Sequence, residues 1–476
     1  MRIAVIGGGI VGSLIARELV RYDADVHLFE QEIDIGWGVT KANSAIVHGG
    51  FHEAVGSPRA RFCVEGNELY AALTKELDVP FHRCGAYTVA LNKEEVSPLK
   101  ALLAQGEENG IPGLELHDGA TVLAHEPNLN PRVQAGLWSP TVGITEPWTL
   151  AIAAVENACA NGLTLHLSEE VTKIRMRDGR VCRVTTPQGE YPVDAVVNAA
   201  GLFADRIAEM VGLSEPTLFP RRGEYILLDK KANGLVNSVI FPTPSNTSKG
   251  ILVLPSVDGG ILLGPTAKDL SREEKDSLET TADGMEKTID GARRLVPTIN
   301  LSLVIKTFAG LRPESPKKEF VVGKSEVQGF FQAAAMRSPG LTAAPAVARF
   351  LVHEVMASEF ALAKKPSFQP LRNGLPRVTE LPDEEWNELI SKDPRYGRII
   401  CQCNRVTEGE IVAAIRRGAR SLDGVKFRTR AGFGRCQGGF CTDRILLILA
   451  RELGISPEEV TLRGNGSHMM NGVVRS

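Results

Sequence analysis

A strand, a glycine turn and a helix fill the first nineteen residues, and no other stretch limits the fold of this chain so tightly. Arg2-Ile3-Ala4-Val5-Ile6 is a short apolar run rich in β-branched residues, Gly7-Gly8-Gly9-Ile10-Val11-Gly12 follows, and Ser13 to Leu19 is apolar at helical spacing. Gly7, Gly9 and Gly12 fit G-x-G-x-x-G. The first glycine allows a tight turn, the second lets a pyrophosphate approach the backbone, and the third packs helix against strand. The phosphates would rest on the helix N-terminus, where free N–H groups and the dipole favour negative charge. A second strand, Asp25 to Phe29, runs into Glu30, about where an acid would hydrogen-bond a ribose hydroxyl, and an acid there disfavours a 2′-phosphate. The stretch predicts a bound dinucleotide.

At 476 residues the chain is long for one core, so two or three domains are expected. A net charge of −3 gives no reason to expect a nucleic-acid partner or an anionic membrane. No run reaches the ~18 apolar residues of a spanning helix. Nothing at the N-terminus reads as a signal peptide, because a strand starts at residue 2. A soluble, cytoplasmic protein is therefore expected. Of eight cysteines, Cys63, Cys84, Cys159 and Cys182 are scattered, whereas Cys401, Cys403, Cys436 and Cys441 crowd the last quarter. In a reducing compartment the first four suit buried thiols and the last four ask for a metal.

Helical spacing recurs from Trp148 to Asn161, with Gly162 as C-cap, and strands are expected at Leu163 to Leu167, Glu170 to Arg175 and Val181 to Thr186, with a turn at Asp178-Gly179. Ala195 to Asn198 is another buried strand breaking at Gly201. From Phe219 to about Val327 alternating patterns dominate and predict an antiparallel sheet. Phe330 to Ala335 is a further strand, and a helix is expected from Ala346 to Met356. Residues 361–395 read as a linker carrying one helix, Asp383 to Ser391. In the last quarter, Cys401-x-Cys403 and Cys436-x4-Cys441 are separated by thirty-two residues. Thr407-Glu408-Gly409-Glu410 is a capping box for a helix ended by Gly418, and Thr442 to Leu453 is a second helix. Four thiolates suit zinc or an iron–sulfur cluster equally well. Gly434, Gly438 and Gly439 would let backbone N–H groups reach the sulfurs.

The Gly-rich segment Gly36 to Phe51, with Asn43-Ser44-x-x-x-His48-x-Gly50 followed by Ser57-Pro58-Arg59-Ala60-Arg61, resembles the segment lying along the isoalloxazine in the D-amino-acid-oxidase-like superfamily of FAD enzymes. The likeness is to its glycerol-3-phosphate and 2-hydroxyglutarate dehydrogenase branches. Ala195 to Asp205 resembles the second FAD motif of that superfamily. The resemblance implies an α/β fold: a discontinuous Rossmann-like FAD-binding domain (1–80, 141–218, 328–360) and an antiparallel-sheet substrate domain (81–140, 219–327). A small helical cysteine domain at 396–460 would follow, similar to the bacterioferritin-associated-ferredoxin-like 2Fe-2S domain. It implies FAD contacts from Gly7, Gly9, Gly12, Glu30, Thr40, Asn43, Ser44, Ala45, Val171, Ala200, Gly201, Asp205, Gly310, Gly340, Leu341 and Thr342, and cluster ligation by Cys401, Cys403, Cys436 and Cys441. The helix beyond Pro345 would aim its N-terminus at the flavin pyrimidine.

A flavin that oxidises an alcohol or amine needs a group to take the O–H or N–H proton and a cation for the substrate's anionic end. Arg312, in Gly310-Leu311-Arg312-Pro313, matches the phosphate- or carboxylate-binding arginine of the relatives, and a guanidinium suits bidentate oxyanion capture. Arg222, Glu224 and Tyr225 resemble the motif that enters the substrate pocket. His48 matches a histidine near the ring, and His52 is a second candidate base. Arg337 departs from the acidic or small residue expected before Ser-Pro-Gly-Leu-Thr. The resemblance implies a dehydrogenase acting on a small anion. Glycerol 3-phosphate is favoured, with a 2-hydroxy acid or an amino acid as alternatives. Electrons would leave through the cluster to a flavoprotein or quinone-linked subunit. A non-catalytic electron-transfer subunit is the alternative of another class.

Overall fold

A computed structural model of the chain describes residues 1–244, 250–464 and 466–472. It forms two units, one of Met1–Phe29 and Gly36–Arg372, the other of Glu30–Ile35 and Asn373–Ser476. In chain order the elements of the first unit that matter below are β1 (Arg2–Ile6), α1 (Ile10–Leu19), β2 (Asp25–Phe29), α2 (Pro58–Leu77), β3 (Ala195–Asn198) and β4 (Phe219–Leu228). They continue with α3 (Ala282–Leu295), β5 (Val304–Glu314), β6 (Phe330–Ala334) and α4 (Gly340–Arg349).

One sheet has the strand order Val321–Lys324, β6, β3, β1, β2, Thr164–His166. From β6 onwards the pairings are parallel, and Val321–Lys324 joins the edge antiparallel. Continuous apolar runs are what such strands need, because a parallel sheet is covered on both faces; Ile3, Ala4, Val5, Val196 and Phe331 are fully buried. Its strands come from three separate stretches of chain, so this half is discontinuous as expected. The second sheet centres on the antiparallel pair β4 and β5, in register from Phe219 opposite Glu314 to Leu228 opposite Val304. Val239–Pro242 pairs in parallel with Ala86–Ala90, which joins chain from 81–140 and from 219–327 in one sheet.

Two departures from the sequence reading have physical causes. Helix α3 lies inside the stretch read as all strands. It buries only Gly284, Thr288, Ala292 and Leu295, so its inward stripe is written mostly in small residues that carry little hydrophobic signal. Helix α4 begins at Gly340, six residues earlier than expected, with Pro345 inside it. Proline has no N–H to give to the carbonyl four residues back. That carbonyl, Leu341 O, instead accepts the Tyr70 hydroxyl of α2 at 2.6 Å, and the turn persists.

The second unit contains α5 (Glu408–Arg416) and α6 (Thr442–Leu453). Both arms of the expected capping box form at Thr407 and Glu410, and Gly418 takes φ +104° just past the helix. Ile411, Val412, Ile415, Val425, Ile445 and Leu449 make its core. Among the described residues, no helix is long and apolar enough to cross a membrane.

Candidate active site and cluster site

The three glycines of the first turn divide their roles as their spacing requires. Gly7 has φ +107°, and a Cβ there would sit 2.5 Å from Ala199 O, so the β1 and β3 ends can meet only without a side chain. A Cβ on Gly12 would lie 2.0 Å from Gly7 O, which makes it the close packing point of α1 on the turn. Gly9 is different: its nearest neighbour would be Thr40 Oγ1 at 3.4 Å, with no backbone in the way. Among the described residues no neighbouring atom forbids a side chain at Gly9, and the space it leaves fits a diphosphate. Thr40 Oγ1 accepts the Ile10 N–H at 2.9 Å, aligning this loop on the start of α1. Gly38 and Gly201 also face space open for at least 4 Å, and Ala200 precedes the short turn Gly201–Phe203 at the end of β3.

The loop after Thr40 is held by its own side chains. Asn43 donates to Val39 O and Thr40 O at 3.1 and 2.9 Å and accepts the Ala45 N–H at 2.7 Å, which sets Ala45 at φ +60° beside half-buried Ser44. Thr342 in the first turn of α4 accepts the His48 N–H at 2.8 Å, and α2 crosses α4 at Gly66, where a Cβ would meet Thr342 O at 2.0 Å. Gly340, Leu341 and Thr342 thus bring the α4 N-terminus to the His48 loop. Glu30 directly follows β2 and accepts the Glu32 N–H at 2.9 Å.

The second sheet meets this loop backbone to backbone. A Cβ on Gly310 would lie 1.9 Å from Ala42 O. Side chains alternate across a strand, so Phe308, Gly310, Arg312 and Glu314 of β5 share a face with Arg221, Gly223 and Tyr225 of β4. Tyr225 stacks on Phe308 with centroids 4.8 Å apart and planes at 9°. Arg312 lies over Gly223, its Nη2 donating to Thr266 O at 2.7 Å and its Nε to Arg221 O at 3.4 Å. Burial pulls the Arg312 guanidinium below its ordinary pKa, opposed chiefly by Tyr225 and Glu314. Burial raises the Tyr225 phenol, so at neutral pH it is a hydrogen-bond donor rather than a phenolate. His48 and His52 touch at 3.1 Å and both pack on Phe241 of the same sheet.

Four expected site residues have their side chains engaged elsewhere. Arg222 and Glu224 fall on the opposite face of β4 from Arg312. There Arg222 pairs with Glu279, and Glu224 accepts the backbone and hydroxyl of Thr281 at 2.6 and 3.0 Å, fixing the start of α3. Strand alternation forbids Arg222 and Tyr225 from sharing a face, a point that period alone makes legible. Asp205 is 1% exposed and holds Lys275 Nζ at 2.6 and 2.7 Å together with Arg272, so it braces the chain rather than facing a ligand. Val171 lies in the core with Ile6, Phe29 and Val196. Arg221, Glu314, Asp269 and Thr266 were missed, the first two because their place in the alternation of β4 and β5 was not followed through.

In the second unit the four clustered cysteines come together as two pairs. Cys403 Sγ and Cys436 Sγ are 3.6 Å apart, and the Cys441 thiol lies beside Cys401 and lowers its pKa. That contact and the N–H groups of Gly432, Asn404 and Cys403 favour the Cys401 thiolate. A Cβ on Gly434 would strike Cys403 Cβ at 2.2 Å, and Gly438 has φ +92°, so the glycines admit the loop to the sulfurs. Among the described residues no group of three or more His, Cys, Asp or Glu side chains is arranged to hold a metal ion. Two thiol pairs are instead what a two-iron cluster with two thiolates on each iron requires.

Comparison with known proteins assigns a family to each of the two regions. Residues 2–354 match the DAO family, FAD dependent oxidoreductase, and residues 399–451 match the BFD-like [2Fe-2S] binding domain. The chain belongs to the DAO family of FAD-dependent oxidoreductases. This DAO oxidoreductase is 42% identical over 477 residues to the glycerol 3-phosphate dehydrogenase of Caloramator mitchellensis, covering 100% of this chain and 99% of that one. It is 28% identical over 381 residues to the glycerol 3-phosphate oxidase of Mycoplasma genitalium, covering 78% and 98%. Among solved structures, the FAD-bound, dithionite-reduced L-alpha-glycerophosphate oxidase of Mycoplasma pneumoniae superposes with TM-score 0.73 at 28% identity, over 78% of this chain and 98% of that one. Its cofactors are FAD and a 2Fe-2S cluster, and the open cradle at Gly9 and the paired thiols fit them.

Proposed function

We propose that this enzyme oxidises glycerol 3-phosphate to dihydroxyacetone phosphate and passes the electrons through the cluster to a separate acceptor, a flavoprotein or quinone-linked subunit. The flavin, when bound, supplies a hydride acceptor at N5, and the cluster supplies a one-electron exit. Arg312 binds the phosphate, its direction set by Thr266 O and the floor of Gly223. Tyr225, buried and protonated, walls the pocket beside it. The His48–His52 pair takes the hydroxyl proton as the C–H bond breaks. The α4 N-terminus, tied to His48 through Thr342, offers N–H groups to developing negative charge.

The observation that carries this reading is Arg312 beside Tyr225 on the one sheet face that touches the Ala42 loop, in a chain whose full-length relative is a glycerol 3-phosphate dehydrogenase. Anaerobic titration of purified protein with glycerol 3-phosphate, 2-hydroxyglutarate and proline tests it. Bleaching of the flavin by glycerol 3-phosphate alone supports the proposal. Bleaching by another compound of the panel, or by none, overturns it.

A further inference from the structure

Arg337 stands where an acid or a small residue was expected, three positions before α4 begins at Gly340. Its Nε lies 3.0 Å from Glu314 Oε1, and Glu314 shares the sheet face of Arg312, two residues along β5. The same oxygen is 4.0 Å from Arg221 Nη1, and Arg221 is the cross-strand partner of Arg312 and pairs bidentately with Asp269. Three guanidiniums therefore share two carboxylates, a formal excess of one positive charge. Asp269 is half exposed and screened by water, and the α4 N-terminus adds roughly half a charge, so the balance moves towards two. Arg59, also near Arg337, is cancelled by its own partner Glu53.

A second observation points to a missing acceptor. The Arg337 side chain is 16% exposed, yet its Nε has no aligned hydrogen-bond acceptor among the described residues, because the Glu314 contact is close but off-axis. Asp269 is held below the usual carboxylate range first by Arg221 and also by Arg312 and Arg337, which sets all three cations around one region. A buried donor in an electropositive cluster is completed by an anion rather than by more protein.

We propose that Arg337 is a second cation for the anionic end of the substrate, acting beside Arg312, and that it selects a doubly charged phosphate monoester over a singly charged carboxylate. The inference rests on the proposed function for its substrate, but the anion site itself can be measured separately. Phosphate monoesters gain their second charge near pH 6, so binding strengthens as pH rises through that value only if the protein reads the second charge.

The test uses FAD-loaded wild-type enzyme, Arg337→Gln, Arg337→Lys and Glu314→Gln. Inorganic phosphate binding is followed by flavin absorbance from pH 5.5 to 8, and turnover with glycerol 3-phosphate is measured alongside. Arg337→Gln is expected to weaken phosphate binding and raise KM about 10- to 100-fold, with kcat within about threefold, and to flatten the rise in affinity with pH. Arg337→Lys should recover part of the affinity, and Glu314→Gln, which frees the guanidinium, should tighten phosphate binding. Unchanged phosphate affinity and KM in Arg337→Gln overturn the inference. Should that variant fail to hold FAD, Glu314→Gln decides: tighter phosphate binding supports it and unchanged binding overturns it. Arg337-dependent phosphate binding without flavin reduction by glycerol 3-phosphate would leave this site standing and remove the proposed function instead.

Discussion

His48 and His52 share one hydrogen bond, 3.1 Å from Nε2 to Nδ1, whose direction a third group fixes. The Gly50 N–H donates to His48 Nδ1 at 3.0 Å, so neutral His48 carries its proton on Nε2 and gives it to His52. Within the couple His52 Nδ1 is then the accepting atom, so the proposed proton transfer is tested at His52. His52→Asn is expected to lower kcat about 100- to 10,000-fold with a far smaller change in KM. Stopped-flow flavin bleaching checks this, and an unaltered rate would remove the pair from the chemistry.

Replacing Arg312 by Ala removes the guanidinium that Thr266 O and Gly223 hold over the sheet. A charge-assisted contact contributes about 1.5–3 kcal/mol, so kcat/KM for glycerol 3-phosphate should fall at least about tenfold while the flavin spectrum persists. Full activity in steady-state assays would favour a protein whose flavin only relays electrons.

Gly9→Ala and Gly12→Ala should fail differently. At Gly12 the new Cβ meets Gly7 O at 2.0 Å, and a loss of about 1–3 kcal/mol in stability is expected. At Gly9 the protein has room, so the chain should fold with an ordinary melting temperature and bind FAD weakly. The ratio of flavin to protein absorbance, measured beside thermal melting, separates the two.

Tyr70→Phe deprives Leu341 O of the hydroxyl that replaces the N–H Pro345 lacks, at an expected cost of about 1–3 kcal/mol. Pro345→Ala restores that donor. The double variant should therefore lose less than Tyr70→Phe alone in chemical denaturation, and simple additivity would refute the compensation.

Cys403→Ser or Cys436→Ser breaks one thiol pair. The brown cluster absorbance should vanish while glycerol 3-phosphate still bleaches the flavin in a single turnover, and multiple turnover with an external acceptor should stop. Retained colour would point to other ligands.

What could be read from the residues alone follows from how local each signal is. The first turn, the capping box at Thr407 and the helix from Thr442 to Leu453 are written in neighbouring residues, and all three form where the sequence puts them. Arg222 and Tyr225 stand in one short motif, yet a strand sends them to opposite faces. The residues alone place the start of helix α4 at Ala346, just past the proline, and the Tyr70 hydroxyl that lets the turn run through Pro345 comes from 271 residues away. Asp205 carries a motif position but spends its charge on Lys275, a pairing set by tertiary structure.

The bare backbone contact between Gly310 and the Ala42 carbonyl has a metric consequence. With no side chain between them, the strand bearing Arg312 lies directly on the loop that follows Thr40, so under the proposed function the span from an anchored phosphate to the oxidised carbon becomes a ruler set by backbone alone. Homologues of the substrate one methylene longer would bring the wrong carbon to the reacting position, however tightly their charged end is gripped.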